Sequence, residues 1–200
     1  MTGKMRLTLD EKNDAGPRRF HNRQDDNWHV QIMQGEFYVT DSSQEVLTTI
    51  LGSCISACIR DPVVGIGGMN HFLLPEGDGA DRNAHRFGVN AMEVLINDIL
   101  KRGGVRSRLQ AKLFGGANVI NAMSDVGSQN AKFARQFLGD EGISITGGDV
   151  GGTAPRRIQF WPVSGRARQL AVGVDKTALL EQERVVSIQK PATTDDVELF

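Results

Sequence analysis

Short apolar runs rich in β-branched residues, punctuated by glycine and proline, dominate the chain, and only two stretches carry helical spacing. Ordered structure is expected from Trp28, through Val30 and Ile32 to Phe37-Tyr38-Val39. Val46–Ile50 and Ile55–Ile59 read as strands around Gly52. Val63–Asn70 continues as a glycine-rich strand, then His71-Phe72-Leu73-Leu74, closed by Pro75. Gly77–Arg86 reads as a polar loop. In Asn90–Arg102, Met92, Leu95, Ile96, Ile99 and Leu100 recur at three- and four-residue spacing and form one apolar face, which Gly103 terminates. Ala111–Phe114 is a short strand entering Gly115-Gly116. A second helix is expected over Ser128–Leu138, with Ala131, Ala134, Phe137 and Leu138 inward. Ile143–Thr146, Arg157–Pro162 and Gln169–Val174 read as later strands. The pattern predicts an α+β fold of mixed, largely antiparallel β-sheets layered with helices, because most connections are of hairpin length.

The ends differ from this middle. Residues 1–27 are polar and lack apolar periodicity, so they read as a disordered arm; residues 28–190 form the expected domain, and the acidic tail 191–200 reads as flexible. A net charge of −1, with no run of Lys or Arg, argues against nucleic acid or an acidic membrane surface as partner. No apolar stretch reaches the ~18 residues of a membrane span, and the N-terminus has no signal-peptide core. A cytoplasmic protein with reduced thiols is the expectation.

Candidate chemistry gathers between Thr48 and Pro75, which holds both cysteines and one of four histidines. Cys54 and Cys58 on one strand share a face but stand roughly 13 Å apart, too far for a disulfide or a shared metal. Too few Cys and His accompany them for a zinc site. Cys58, inside an apolar run, reads as a core thiol. Cys54 follows Gly52-Ser53 at the start of a strand, where backbone N–H groups can face an oxyanion. A hairpin turning at Asp61-Pro62 sets His71 opposite Ser53 or Cys54. A thiol beside an imidazole is the minimal nucleophile–base pair, although a lone histidine is as readily structural. The glycine pairs at 115–116 and within GGDVGG (147–152) lack the Lys-Ser/Thr of a phosphate loop and read as close-approach or turn glycines.

Together, "LGSCISACIRDP" and "GGMNHFLLPEG" resemble the CheD family, the chemoreceptor glutamine deamidases of bacterial chemotaxis. "RFGVNAMEVLINDILKRGG", "KLFGGANV" and "GGDVGGTAPRRIQFWPVSGRA" follow in the family's order, so the resemblance spans about Gln31 to Ile188. It implies a fold similar to cysteine hydrolases of the toxin deamidase type and a Cys–His–Thr triad. Cys54 matches the nucleophile and His71 the histidine. Thr48 is the threonine assigned here; Thr49, one step away, points to the other strand face, so a register slip of one exchanges them. Ser53 and Asn70 are further candidates, for the oxyanion and for substrate contact. The implied reaction converts a receptor glutamine to glutamate through a thioester, with no metal or organic cofactor. The implied partners are chemoreceptor cytoplasmic domains as substrate and a CheC-type phosphatase, for which a chain without catalysis would be a regulatory binding module.

Overall fold

The computed structural model describes residues 17–75, 82–118 and 125–172. Residues 1–16, 77–81 of the expected polar loop and the acidic tail 191–200 lie outside them. In chain order the strands are β1 (Arg18–Asn22), β2 (Asn27–Gln31), β3 (Phe37–Thr40), β4 (Glu45–Leu51), β5 (Ile55–Asp61) and β6 (Ile66–Asn70). After helix α1 (Arg82–Lys101) come β7 (Gln110–Gly115), α2 (Val126–Asp140), β8 (Ser144–Val150), β9 (Arg156–Trp161) and β10 (Arg166–Ala171).

These elements make three layers. The outer sheet has the order β1-β2-β4-β9-β10 and the central sheet β3-β6-β5-β7-β8. Pairing is antiparallel except for β2 with β4 and β7 with β8. The chain returns from β7 to β8 through α2, as a parallel pair requires a crossover. Both helices lie on the central sheet. Ile55, Ile59, Phe72, Met92, Leu95, Ile96 and Ile99 are buried between that sheet and the helices. Leu47, Leu51, Met69, Ile158 and Phe160 are buried between the two sheets, with both cysteines. The α+β expectation of largely antiparallel sheets layered with helices is what the structure shows.

Three boundaries differ from the sequence reading. Residues 18–27, placed in the disordered arm, hold β1 and the hairpin turn into β2. This edge strand is exposed, so it carries no buried face for periodicity to reveal. It is held by its antiparallel ladder with β2 and by contacts of single side chains, among them an Arg19–Glu45 ion pair and the stacking of Phe20 on His29. Helix α1 begins at Arg82 rather than Asn90. Its early part includes Gly88, which counts against a helix, yet a Cβ there would lie 2.5 Å from Leu74 Cδ2. A larger residue there would require the Leu74 and Phe133 side chains to shift. Strand β8 runs on through Gly147-Gly148. At Gly148 (φ 127°) a Cβ would meet Leu113 O at 2.0 Å, so close approach to β7 is the reason for glycine.

The β5–β6 hairpin sets the register of the candidate site. Its turn is not centred on Asp61-Pro62; Asp61 pairs with Ile66 and the turn spans residues 62–65. The carboxylate of Asp61 accepts from Val63 N (2.9 Å), Val105 N (2.9 Å) and the Arg108 guanidinium (2.9 and 2.7 Å). Burial would raise its pKa, but these donors outweigh that and hold it down at about 2. The longer turn slides β6 along β5. Cys58 faces Met69, and the bridge beyond pairs Ile55 with Phe72.

Candidate active site

The chain leaves the outer sheet at Leu51 and enters the central sheet at Ile55, so Gly52-Ser53-Cys54 is the corner between the layers. Cys54 is held there through its backbone. Its carbonyl accepts from Gly116 N (2.7 Å), and the Gly52 carbonyl accepts from Ala117 N (2.8 Å). Gly115 takes φ 107°, and a Cβ on it would fall 2.1 Å from Cys54 O. The glycine pair is thus the cradle of the Cys54 backbone.

His71 reaches the same face by strand alternation. Ile55 and Phe72 exchange two 2.9 Å backbone hydrogen bonds, and both side chains enter the helix-side core. The residues preceding them, Cys54 and His71, therefore point the other way, between the sheets. The observed register puts His71 level with Ser56 and Leu73 level with Cys54, not His71 opposite Ser53 or Cys54. Cys54 and His71 are diagonal neighbours on one face, an arrangement in which long side chains still meet. Both are buried.

The threonine that contacts the imidazole is Thr49, not Thr48. Leu47 and Leu51 are in the inter-sheet core, so Thr49 between them faces His71. Thr49 Oγ1 lies 2.9 Å from His71 Nδ1 and donates its own proton to Ile32 O at 2.8 Å. A hydroxyl has one proton. With it committed to Ile32, Oγ1 must accept from His71, which makes Nδ1 the protonated nitrogen. Nε2 then carries the lone pair. It is buried and has no hydrogen-bond partner among the described residues. Burial pushes the His71 pKa down to about 4, against a smaller opposing effect of the Ile32 carbonyl. The imidazole is therefore neutral at neutral pH, and the buried Nε2 is its basic nitrogen. Thr49→Val is expected to lower turnover on the order of 10²-fold by releasing this tautomer, and Thr48→Val to leave it within about twofold. Initial rates of the two purified variants, with melting curves to confirm folding, check the pair.

The remaining expected residues separate. Cys58 is buried among inter-sheet apolar side chains, and burial pushes its thiol up to about 12. It stays a neutral core thiol. Asn70 belongs to the helix side: its Oδ1 accepts from Ala57 N (2.8 Å) and its Nδ2 donates to Ala91 O (2.8 Å). It fastens β5 to α1 and is directed away from the Cys54 face. Ser53 is at the corner, and its carbonyl accepts from Asn130 Nδ2 at 3.1 Å.

Asn130 is the residue that sequence reasoning missed. It is fully buried on α2, and its Oδ1 also accepts from Leu74 N (2.9 Å). One amide thus ties the turn before Cys54 to the segment after His71. The signal was present: Asn130 falls in the stripe formed by Ala134, Phe137 and Leu138, where a polar residue needs a buried partner. Asn130→Ala is expected to cost about 2 kcal/mol, because it removes the acceptor of Leu74 N and a donor to Ser53 O. Denaturant titration against wild type measures it.

A family model, CheD chemotactic sensory transduction, matches residues 73–170, starting just past His71. A Caulobacter vibrioides protein named "Probable chemoreceptor glutamine deamidase CheD" is 55% identical over 86% of this chain and 92% of its own. The chain belongs to the CheD family. A Rhizobium meliloti CheD is 52% identical over 86% of this chain and 95% of its own, and an Agrobacterium fabrum CheD 53% over 86% and 96%. Among solved structures, Bacillus licheniformis YfiH aligns at a TM-score of 0.39 and 13% identity, over 58% of this chain and 51% of that one. CheD membership accords with the resemblance read from the sequence. No helix among the described residues is long and apolar enough to cross a membrane.

Proposed function

We propose that this CheD-family chain is a protein-glutamine deamidase acting on chemoreceptor cytoplasmic domains, with Cys54 as nucleophile, His71 as base and acid, and Thr49 as the group that orients the imidazole. The observation that carries the reading is the relay from Ile32 O through Thr49 Oγ1 to His71 Nδ1, which leaves the buried Nε2 without a hydrogen-bond partner among the described residues.

The chemistry follows from that tautomer. The Cys54 Sγ–H proton passes to His71 Nε2, and the sulfur attacks the carbon of a substrate carboxamide. The C=O electron pair moves to oxygen, and we assign that oxyanion to the backbone of the Ser53-Cys54 turn. Imidazolium His71 gives its Nε2 proton to the departing nitrogen, the C–N bond breaks, and ammonia leaves a thioester on Cys54. Water then loses a proton to Nε2 and attacks the thioester carbon. Collapse expels the thiolate, which recovers the proton, and the side chain leaves as glutamate. A buried imidazole with a low pKa suits both halves: it is unprotonated when a base is needed and, once protonated, a strong acid toward the leaving amine.

The product adds one negative charge to the receptor and supplies a carboxylate for methylation. The proposal includes a cytoplasmic location and association with a CheC-type phosphatase, which co-elution of the two purified proteins tests. The deciding experiment is mass spectrometry of receptor cytoplasmic domain after incubation with this protein. Conversion of glutamine to glutamate supports the reading. No conversion of any receptor of the organism by folded, reduced protein overturns it in favour of a regulatory binding module.

A further inference from the structure

The segment between β2 and β3 carries a side chain that no part of the triad explains. Met33-Gln34-Gly35-Glu36 is a tight turn: Glu36 N donates to Met33 O at 3.0 Å, and Gly35 takes φ 86° at its third position, as a type II turn requires. Gln34 therefore stands at the corner and projects outward. The turn is fastened on several sides. Gly35 N donates to His71 O (2.7 Å), His71 N donates to Glu36 O (3.0 Å), and the Glu36 carboxylate accepts from Met33 N (2.9 Å). Ile32, just before the turn, is the residue whose carbonyl holds Thr49. The backbone that fixes His71 and Thr49 is thus the backbone that aims Gln34. Its target is the nucleophile: Cys54 Sγ donates to Gln34 Oε1 at 3.5 Å.

We propose that Gln34 is a further catalytic residue, a carboxamide that accepts from the resting Cys54 thiol and turns over to donate from Nε2 once negative charge develops at the sulfur and at the substrate oxygen. The argument is one of matched charge. A neutral S–H needs an acceptor, and Oε1 supplies it. When the proton has moved to His71, the same oxygen would face an anion. Rotation about the last side-chain bond exchanges O for NH₂ at almost constant shape, so the group changes from acceptor to donor without repacking. Gln34 is only partly buried, which leaves room for that rotation. An amide serves both protonation states where a carboxylate or an ammonium serves one.

The inference rests on Cys54 as the reacting thiol, as proposed above, but its test does not need the receptor. Alkylation of Cys54 by iodoacetamide, followed by peptide mass spectrometry across pH, titrates the thiol directly in wild type, Gln34→Ala and Gln34→Glu. Reading the Cys54 peptide excludes any contribution from Cys58. Gln34→Glu keeps the shape but sets a carboxylate against the thiolate, and is expected to raise the midpoint of the alkylation profile by about 1 pH unit. Gln34→Ala is expected to raise it by less and to lower turnover roughly 10²- to 10³-fold, the range for loss of one donor at a developing anion. Coincident alkylation profiles for all three folded proteins overturn the assignment. Displaced profiles with no receptor converted uphold Gln34 as the partner of the thiol and overturn the substrate reading instead.

Discussion

Cys54→Ala is expected to reduce glutamine conversion to background, a loss on the order of 10⁴-fold or more, and His71→Ala to do nearly the same. In the proposed mechanism nucleophile and base act as a unit: without the sulfur there is nothing to acylate, and without the imidazole the thiol keeps its proton. The double variant should accordingly be no worse than either single one, and that non-additivity is the signature of a shared step. Cys58→Ala is the contrasting control. It removes a buried sulfur among apolar side chains and should cost stability, about 1 kcal/mol, without changing the rate of the folded enzyme. Receptor mass spectrometry gives the rates, and denaturant titration separates lost chemistry from lost fold. If Cys54→Ala still converts receptor glutamines at the wild-type rate, the thioester route is wrong whatever the fold resembles.

The parts of this site legible in the sequence are those fixed by local chemistry. Cys54 stands after a Gly-Ser corner and His71 before a proline-closed run, and both positions follow from turn residues and strand length. The threonine did not, for a definable reason. In Val46-Leu47-Thr48-Thr49-Ile50-Leu51 both faces read apolar–threonine–apolar, so alternation cannot say which one looks at His71. Only pairing on both sides of β4 decides it. The register of His71 was likewise hidden, because the hairpin turn is set by donors to Asp61 that include Val105 and Arg108, more than forty residues away. Asn130 illustrates a third limit: its two partners belong to segments that meet only once the sheet is formed. The edge strand β1 left no trace in periodicity because neither of its faces is buried.

The layered fold explains why these pieces belong together. A nucleophile on a strand end needs a base from a neighbouring strand and an orienting group from a third, and a single sheet would supply all three only in one plane. Here the chain turns the corner between sheets at Cys54. Thr49 stays in the outer sheet while His71 belongs to the central one. The imidazole is held across the gap between layers, where water is excluded and its pKa falls. In the proposed mechanism water exclusion serves the chemistry, since a neutral base and a desolvated thiol exchange a proton with little reorganisation. It also has a cost in stability that can be measured.

That cost gives the second large expected effect. His71 titrates near 6.5 in the unfolded chain and at about 4 in the folded protein, because burial disfavours the imidazolium. Above pH 6.5 both states hold it neutral and it contributes no pH dependence. As pH falls below 6.5 the unfolded chain binds a proton that the folded protein does not, so stability falls with pH until the folded form also titrates near 4. The difference integrates to about 3 kcal/mol, at 1.36 kcal/mol per unit of pKa separation. Asp61 works in a lower window. With a folded pKa of about 2 against 3.8, the stability it contributes at neutral pH is lost as pH falls from 3.8 toward 2. Between pH 6.5 and 4 the loss is therefore attributable to His71. Urea unfolding of wild type and His71→Gln at half-unit pH intervals isolates it: the wild type should lose about 3 kcal/mol relative to the variant across that window, and nothing relative to it from pH 7 to 8. Parallel curves would mean that His71 keeps its unfolded pKa inside the fold, whereas a wild type that loses stability relative to the variant from pH 7 to 8 would mean that the imidazole stays protonated there, and a resting imidazolium paired with the Cys54 thiolate would then replace the neutral pair as the starting state of the reaction.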